Sequence, residues 1–249
     1  MRAFLKRIDE LLLGRLKDQS LKLLEKEFEG CESLLDVGCG SHSPVGLFSR
    51  RPRRSVGIDV FQPAVEQSTA ARIHDEYVLM DVMDLGRRFS DRSFDCVIAI
   101  DVIEHLTKND GYELIWMMER IARRKVVIFT PNGFLKQGEY EGNRYQVHRS
   151  GWEVNEMRGL GYRVTGINGW KPLRGECADA KWWPSSFWFR VSLISQLFTT
   201  QNPRHAFAIF CVKELQPSSW PSPGRGGGQR RMTGPADPAE IEAVLEGVP

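Results

Sequence analysis

The chain has 249 residues, enough to bury one hydrophobic core with length to spare for an insertion or a tail. Its composition is ordinary for a globular protein, with 41% hydrophobic and 27% charged residues, and a formal net charge of +2 gives no overall electrostatic attraction to nucleic acid. The five cysteines are scattered, with no CxxC pair or other zinc-like spacing, so the sequence favours reduced thiols over a disulfide framework.

The first 29 residues are predicted to form a helical segment, because apolar residues recur at Leu5, Ile8, Leu12 and Leu16 among charges of both signs. This segment lacks the uninterrupted apolar core of a secretory signal, and no charge-free stretch is long enough to span a bilayer. We therefore expect a cytoplasmic protein, and keep peripheral contact with the inner face of the membrane as a further hypothesis.

From residue 30 onward, short apolar strands alternate with helical segments. Strands are predicted at residues 33–39, 55–60, 77–82, 94–101 and 125–131. Each is a nearly continuous apolar run, which is typical of parallel strands covered on both faces. A helix is predicted before the fifth strand, and the residues on its inner face are Leu114, Ile115, Met118, Ile121 and Ala122.

The chain after residue 150 adds a helix and two more strands. The segment SGWE has the pattern of a capping box, with Ser150 as the cap and Glu153 as the third helical residue, and predicts a helix start there. Strands are predicted at residues 162–169 and 206–214, and no obvious long crossover helix joins them. The whole pattern predicts an α/β fold with a doubly wound, mostly parallel seven-stranded sheet and an antiparallel strand near its edge.

Two segments do not fit this alternation. Residues 171–205 contain KWWPSSFWFR, and we favour a lid that folds over the sheet and buries its aromatic side chains. The competing hypothesis is an interfacial belt that contacts a membrane to reach a lipid-linked substrate. Residues 216–249 are rich in Pro, Gly and Ser and are predicted to be largely disordered. The predicted organisation is a helical segment at 1–29, a domain at 30–215 with the insertion at 171–205, and a tail at 216–249.

A glycine-rich turn follows the first predicted strand, in the stretch LLDVGCGSHSP. Glycines let the backbone approach a ligand closely, and ligands of open parallel sheets bind at the carboxyl ends of the strands. An acid at the end of the second strand, Asp59, suits the ribose hydroxyls of an adenosine-containing cofactor. Ser43 and Pro44 stand where a dinucleotide-binding turn needs its last glycine, so an oxidoreductase is disfavoured.

Five segments resemble, in order, the motifs of class I S-adenosylmethionine-dependent methyltransferases. They are LLDVGCG, VGIDVF, MDVMDL, SFDCVIAIDVIEHL and VVIFTPNG, within residues 30–170. The resemblance implies a Rossmann-like methyltransferase fold and S-adenosyl-L-methionine as the cofactor. The sequence departs from the family pattern at His42, where many members have a third glycine, so this turn is expected to be shaped differently.

The cofactor-binding residues implied by the resemblance all lie at the ends of the first four strands. They are Asp36, Gly38, Gly40, Asp59, Val60, Phe61, Asp81, Val82, Asp101 and Val102. The first strand end would support the methionine and ribose portions, and Asp36 would hold the loop and reach the ammonium group through water. The end of the second strand would bind ribose and adenine, and the end of the third strand would cover adenine. The end of the fourth strand would border the methyl group. Any of these acids can instead cap a helix.

A general base is needed only if the methyl acceptor is protonated, as a hydroxyl group is. The candidates are His148, in the loop after the fifth strand, and His105, in the segment DVIEHL. Glu104 is more simply explained as a helix-start residue. No spacing of Asp, Glu and His argues for magnesium, so no metal is predicted. The segment TPNG lacks the Asn/Asp-Pro-Pro-aromatic motif of enzymes that methylate amino groups of nucleic acids, so nucleic acid is not the expected acceptor.

The resulting prediction is methyl transfer, by in-line displacement, to a small-molecule or glycan acceptor, including a lipid-linked one. The alternative is a catalytically inactive methyltransferase-like module that binds a protein or membrane partner through the Trp-rich insertion.

Overall fold

The computed structural model describes residues 19–139 and 142–215. Within these ranges, seven strands form one sheet: β1 (Ser33–Val37), β2 (Arg54–Asp59), β3 (Glu76–Leu79), β4 (Phe94–Ile100), β5 (Ala122–Pro131), β6 (Arg163–Trp170) and β7 (Ala206–Glu214). The strand order is β3-β2-β1-β4-β5-β7-β6. The first five strands are parallel, and β7 pairs antiparallel with both β5 and the edge strand β6. The predicted fold class is confirmed. Residues 1–18 of the predicted N-terminal segment and the tail at 216–249 lie outside the described residues.

The helices in the described ranges are α1 (Gln19–Phe28), α2 (Gln62–Ala71), α3 (Leu85–Arg88), α4 (Lys108–Ile121), α5 (Val154–Gly159) and α6 (Ser185–Thr199). Hydrophobic clusters cover both faces of the sheet. One contains Leu35 of β1 with Leu114 and Met118 of α4, and the other contains Leu34 of β1 with Leu24 of α1. Because adjacent residues of β1 enter opposite clusters, Leu34 and Leu35 are both apolar rather than alternating with polar residues.

The chain order places a switch point at the carboxyl ends of β1 and β4. The chain runs from β1 to β2 and β3 on one side, and β4 continues on the other side. Helices that follow these strands diverge at this point and leave a crevice, which is the usual ligand site of such sheets. The predicted acids therefore lie at the edge where a ligand binds.

The predicted capping box at Ser150 is wrong. Helix α5 begins at Val154, with Glu153 as its N-cap and Glu156 closing the capping box. The Ser150 hydroxyl instead donates to the carbonyl of Ile103 at 3.1 Å and accepts from the indole N–H of the buried Trp152 at 3.1 Å. The SGWE segment thus anchors a core tryptophan before the helix starts.

The preferred prediction for residues 171–205, a lid that buries its aromatics, is also wrong. The insertion contains α6, a 15-residue helix between β6 and β7 that the sequence did not predict. Trp183 is 89% exposed and Phe187 is 53% exposed. The helix packs on β6 through a different face, described below. No helix within the described ranges is long and apolar enough to cross a bilayer.

Candidate active site

Two neighbouring cavities open at the carboxyl ends of the strands. The first, here the strand-end cavity, has a volume of about 230 Å³ and is lined by seven of the ten predicted cofactor residues: Gly38, Asp59, Val60, Asp81, Val82, Asp101 and Val102. The second, here the histidine cavity, has a volume of about 280 Å³, and both candidate bases, His105 and His148, line it. Asp101, His105 and Gln146 line both cavities. The two spaces therefore meet at these three side chains.

The glycines of the first turn are required for two different reasons. Gly38 has φ +68°, and a Cβ there would lie 2.6 Å from Cγ2 of Val102, so a side chain would displace the end of β4. Gly40 has φ +55°, and a Cβ there would meet nothing within 4 Å. Open space beside the Gly40 backbone is what a closely bound ligand needs, and it fits the predicted role of this turn.

Asp59 joins the glycine turn to the end of β2. Its carboxylate accepts hydrogen bonds from the backbone N–H of Gly40 at 2.9 Å and of Phe61 at 2.8 Å. Burial raises the pKa of Asp59, and these two backbone donors oppose that rise. Val60 lines the strand-end cavity, whereas Phe61 lies beside it at the start of α2. Of the two residues predicted against adenine, Val60 has the position for that contact.

Asp36 is buried behind the glycine turn and is not among the residues that line either cavity. Its carboxylate accepts from the Ser43 hydroxyl at 2.5 Å and lies 3.1 Å from Nε2 of the buried His74. The predicted support of the loop fits this position, and the predicted approach to an ammonium group through water stays a prediction. His74 has no counterpart in the sequence predictions.

The unusual end of the turn has a structural explanation. Ser43 binds Asp36 and also accepts from the backbone N–H of Val45 at 3.2 Å, so that it caps a short 3₁₀ turn at Pro44–Leu47. His42 is exposed. Ser43 and Pro44 therefore fix the path that a third glycine would otherwise leave flexible.

Asp81 combines a capping role with a place in the strand-end cavity. One carboxylate oxygen accepts from the backbone N–H of Met83 at 2.9 Å and starts a short 3₁₀ turn. The side chain remains exposed, and Val82 beside it is buried. Both residues line the strand-end cavity, so a structural role and cofactor contact are compatible here.

Asp101 and Glu104 place two carboxyl groups just beyond the end of β4. Asp101 has φ +52°, a left-handed conformation that Asp tolerates better than most residues. Glu104 is buried and accepts from the Thr130 hydroxyl at 2.9 Å. Desolvation raises the pKa of Asp101 to about 6, and desolvation together with the Asp101 charge raises the pKa of Glu104 well above its usual value.

The two histidines pack against each other with their ring centroids 4.9 Å apart. Desolvation and the neighbouring His148 lower the pKa of His105 to about 4, and desolvation lowers the pKa of His148. Nδ1 of His148 lies 2.7 Å from the carbonyl oxygen of Leu135, which fixes the proton on that nitrogen because a carbonyl only accepts. Both rings are neutral at pH 7, and Nε2 of His148 carries the lone pair.

Glu104, His105 and His148 also form a group that can hold a metal ion. Ligand atoms of the three side chains lie within 4.8 Å of one another. Oε1 of Glu104 and Nδ1 of His105 are buried and have no hydrogen-bond partner. Imidazole nitrogen and carboxylate oxygen are ligands for several divalent ions. The sequence did not predict this group because His148 is far from the other two residues in the chain.

Gln146 is another residue that the sequence did not predict. It lies in the loop after β5, together with Tyr145 and Arg149, which line the strand-end cavity. This loop contains no motif. Only the position of Gln146 after β5 could have indicated its place in the site, because loops that follow parallel strands lie on the ligand side of the sheet.

Comparisons with known proteins agree with this geometry. The family model of the methyltransferase domain matches residues 35–130. A ubiquinone biosynthesis O-methyltransferase of Rhodopseudomonas palustris is 30% identical over 143 residues, which cover 53% of this chain and 51% of that protein. One from Bradyrhizobium is 29% identical over 117 residues, covering 41% of this chain and 43% of that protein. The chain thus spans about half the length, or less, of these curated relatives.

Solved structures show the same fold at low sequence identity. A SAM-dependent methyltransferase from Archaeoglobus fulgidus superposes with a TM-score of 0.51 at 17% identity, covering 85% of this chain and all of that chain. The methyltransferase domain of bacterial CtHen1 gives 0.50 at 21% identity, covering 80% of this chain and all of that chain.

The strand order is that of the Rossmann-like methyltransferase fold, which the superposed structures share. Residues 35–130 of the chain match the methyltransferase domain family.

Proposed function

We propose that the chain transfers a methyl group from S-adenosylmethionine to a small-molecule acceptor held in the histidine cavity. The observation that carries this proposal is the junction of the two cavities at Asp101, His105 and Gln146. A donor in the strand-end cavity and an acceptor in the histidine cavity meet there. Proximity and alignment are the main requirements of this reaction.

The residues of the strand-end cavity fit the cofactor by position and chemistry. Asp59 would hold the ribose hydroxyls, because its carboxylate lies beside a glycine turn that leaves room for a ligand. Val60 and Val82 would contact the adenine ring, with Asp81 at its amino group. Gly38, Val102 and Asp101 would border the methionine portion. The cofactor supplies an activated methyl group on its sulfonium, and the chain positions the acceptor.

The acceptor atom is proposed to be a hydroxyl oxygen. The curated relatives are named O-methyltransferases, and the histidine cavity has neutral imidazoles that can accept a hydroxyl proton. His105 is the preferred base because it lines both cavities, whereas His148 lines the histidine cavity alone.

Glu104, His105 and His148 have a second possible role, which is to bind a divalent ion, because their ligand atoms lie close together. A divalent ion held by Glu104, His105 and His148 would polarise the acceptor hydroxyl and lower its pKa without a protein base. The unpaired Oε1 of Glu104 and Nδ1 of His105 favour this role. A metal-binding measurement, described in the Discussion, separates the two roles.

The size and lining of the histidine cavity limit the acceptor. Phe129, Leu135 and Phe207 form apolar walls around a volume of about 280 Å³. The other side of the cavity is polar, so the cavity suits a small hydroxyl compound that has both an apolar ring and polar substituents. Its polar lining residues are Asp101, Glu104, His105, Gln137, Gln146, His148 and Asn168. A lipid-linked acceptor fits if its reactive ring enters this cavity.

The alternative, an inactive module, is disfavoured by the preserved chemistry of the junction. A site that had lost its activity would be free to lose the buried carboxyl group of Glu104 and the two neutral histidines that line an open cavity. The test is a screen of phenols, catechols and hydroxybenzoates with S-adenosylmethionine, with release of S-adenosylhomocysteine as the readout. We expect turnover of at least one hydroxyl compound and its loss in Asp101→Ala, with Asp84→Ala as an exposed control. Absence of turnover across the panel would support the inactive module.

A further inference from the structure

Helix α6 is turned with its polar residues toward the sheet. Its buried residues are Ser192, Leu193, Gln196 and Thr199. Two glycines of β6 let the helix approach closely, since a Cβ at Gly166 would lie 2.1 Å from the carbonyl oxygen of Thr199 and one at Gly169 would lie 1.9 Å from that of Ser192. The contact is therefore made by backbone atoms and by three polar side chains, with Leu193 as the one fully apolar side chain among the buried residues of the helix.

Hydrogen bonds fix this orientation of α6. The side-chain oxygen of Gln196 accepts from the backbone N–H of Asn168 at 2.9 Å. The Ser192 hydroxyl donates to the carbonyl of Asn168 at 3.0 Å and accepts from Nε of Arg174 at 2.8 Å. Rotating the helix to bury its apolar residues would leave these polar groups without partners in the interior.

The outward face of α6 is apolar as a direct consequence. Phe187, Ile194, Leu197 and Phe198 recur at helical spacing and are 53%, 56%, 70% and 56% exposed. Trp183, just before the helix, is 89% exposed. These apolar side chains share one side of the helix with the exposed Arg190. Large apolar side chains grouped in this way mark an interaction surface. We call the five apolar residues the outer face.

The charges around the outer face are mostly positive. Residues 171–205 contain five Lys or Arg and two acids, a formal net charge of +3, and α6 itself contains no acid. A groove of about 430 Å³ beside the insertion is lined by Lys171, Arg174, Lys181 and Arg204, and none of its described lining residues is acidic. Exposed tryptophan and phenylalanine next to cations are typical of a helix that lies in the interface of an anionic membrane.

We propose that the outer face and Lys181 dock on the surface of an anionic lipid bilayer, with α6 lying in the plane of the interface. Charge complementarity favours this partner. Ala178 of the same insertion lines the histidine cavity, so docking would bring that cavity close to the lipid. The proposal does not depend on methyl transfer.

The test is co-sedimentation with vesicles of phosphatidylcholine, with and without phosphatidylglycerol, at low and high salt. We expect the wild type to pellet with the anionic vesicles and less so at high salt. Trp183→Ala and Leu197→Ser should each weaken binding about tenfold. Lys181→Glu should weaken binding to the anionic vesicles. Trp116→Ala and Leu79→Ser, which change exposed apolar residues on α4 and β3, should bind like the wild type.

Circular dichroism shows that the variants are folded, and titration with S-adenosylmethionine shows that the domain is intact. Failure of the wild type to pellet with anionic vesicles would overturn the proposal, whatever the outcome for the cofactor. Equal binding of the outer-face variants and the wild type would also overturn it. A third result would also overturn the proposal: light scattering that shows a dimer for the wild type and a monomer for Leu197→Ser. The outer face would then be an interface between two copies of the chain.

Discussion

The carboxylate of Asp59 accepts a hydrogen bond from the backbone N–H of Gly40 at 2.9 Å, and this contact joins the turn after β1 to the end of β2. The second oxygen of the same carboxylate binds the N–H of Phe61 at 2.8 Å. Asp59, which is placed to bind ribose, therefore also stabilises the turn, and loss of its charge should affect both cofactor binding and local structure. Matched variants can separate these two effects.

The two turn glycines should respond differently to alanine. Gly38→Ala forces a methyl group to within 2.6 Å of Val102 in addition to the unfavourable φ, so we expect a loss of about 2–4 kcal/mol in the free energy of unfolding. Gly40→Ala has only the φ penalty, about 1 kcal/mol, and places its methyl group in the open space beside the turn, where it would meet a closely bound ligand. Urea unfolding and cofactor titration measure the two effects. A larger loss of stability in Gly40→Ala than in Gly38→Ala would contradict this account.

Ser43→Ala should destabilise the fold although Ser43 is not expected to touch the cofactor. The change removes the hydroxyl donor to the buried Asp36 carboxylate and the cap at Val45, at a cost of about 1–3 kcal/mol. Ser41→Ala, which removes a hydroxyl bonded to the exposed His42, is the control and should change stability by less than about 0.5 kcal/mol. Urea denaturation compares them. Similar values for both variants would show that the Asp36 contact is not structural.

His105 should make the stability of the protein depend on pH in a defined window. Its pKa is lowered from 6.5 to about 4, so between these values the unfolded chain binds a proton that the folded chain does not. The free energy of unfolding contributed by this group is present above pH 6.5 and is lost as the pH falls toward about 4. Asp101, with a pKa raised to about 6, contributes with the opposite sign between 3.8 and 6. The difference between wild type and a variant isolates one group.

The measurement is urea unfolding of wild type and His105→Gln at several pH values in the presence of EDTA. The wild type should lose stability relative to His105→Gln as the pH falls from 6.5 to 4. His205→Gln, which changes a histidine outside the cluster, is the control and should keep the wild-type slope. A constant difference between wild type and His105→Gln across this range would refute the neutral, desolvated state of His105.

Divalent ions should bind the cluster of Glu104, His105 and His148. We expect manganese to raise the melting temperature of the wild type, since an ion that binds only the folded state stabilises it. The increase should disappear in His148→Ala and persist in His205→Ala. If the wild type shows no increase at any ion concentration, the cluster works through its imidazoles alone, and the metal-assisted role is excluded.

Most of the fold could be predicted from the sequence because parallel strands and an amphipathic helix have strong local signals. Strand β7 matches its predicted range of residues 206–214, and the inner face predicted from Leu114 to Ile121 is the buried face of α4. The acids at the strand ends could be predicted as ligand-binding residues because ligands of an open parallel sheet bind at the carboxyl ends of its strands.

The remaining features depend on contacts that sequence patterns do not contain. The outward rotation of α6 follows from Gly166 and Gly169 on β6, which admit its polar side, and the apolar pattern of the helix alone predicts the reverse. The cluster around Glu104 and His148 forms only when the loop after β5 folds back against β4. Gln146 reaches the junction through the same loop, which carries no motif.

Isothermal titration of the purified protein with S-adenosylmethionine, S-adenosylhomocysteine and NAD tests the central claim most directly. We predict micromolar binding of the first two and none of NAD. Asp59→Ala should weaken that binding about tenfold or more, because it removes a carboxylate proposed to hold the ribose hydroxyls. Asp84→Ala, outside the strand-end cavity, should leave the affinity unchanged. If well-folded wild type binds neither sulfur compound, or if Asp59→Ala binds them as tightly as the wild type, the proposed cofactor site is wrong.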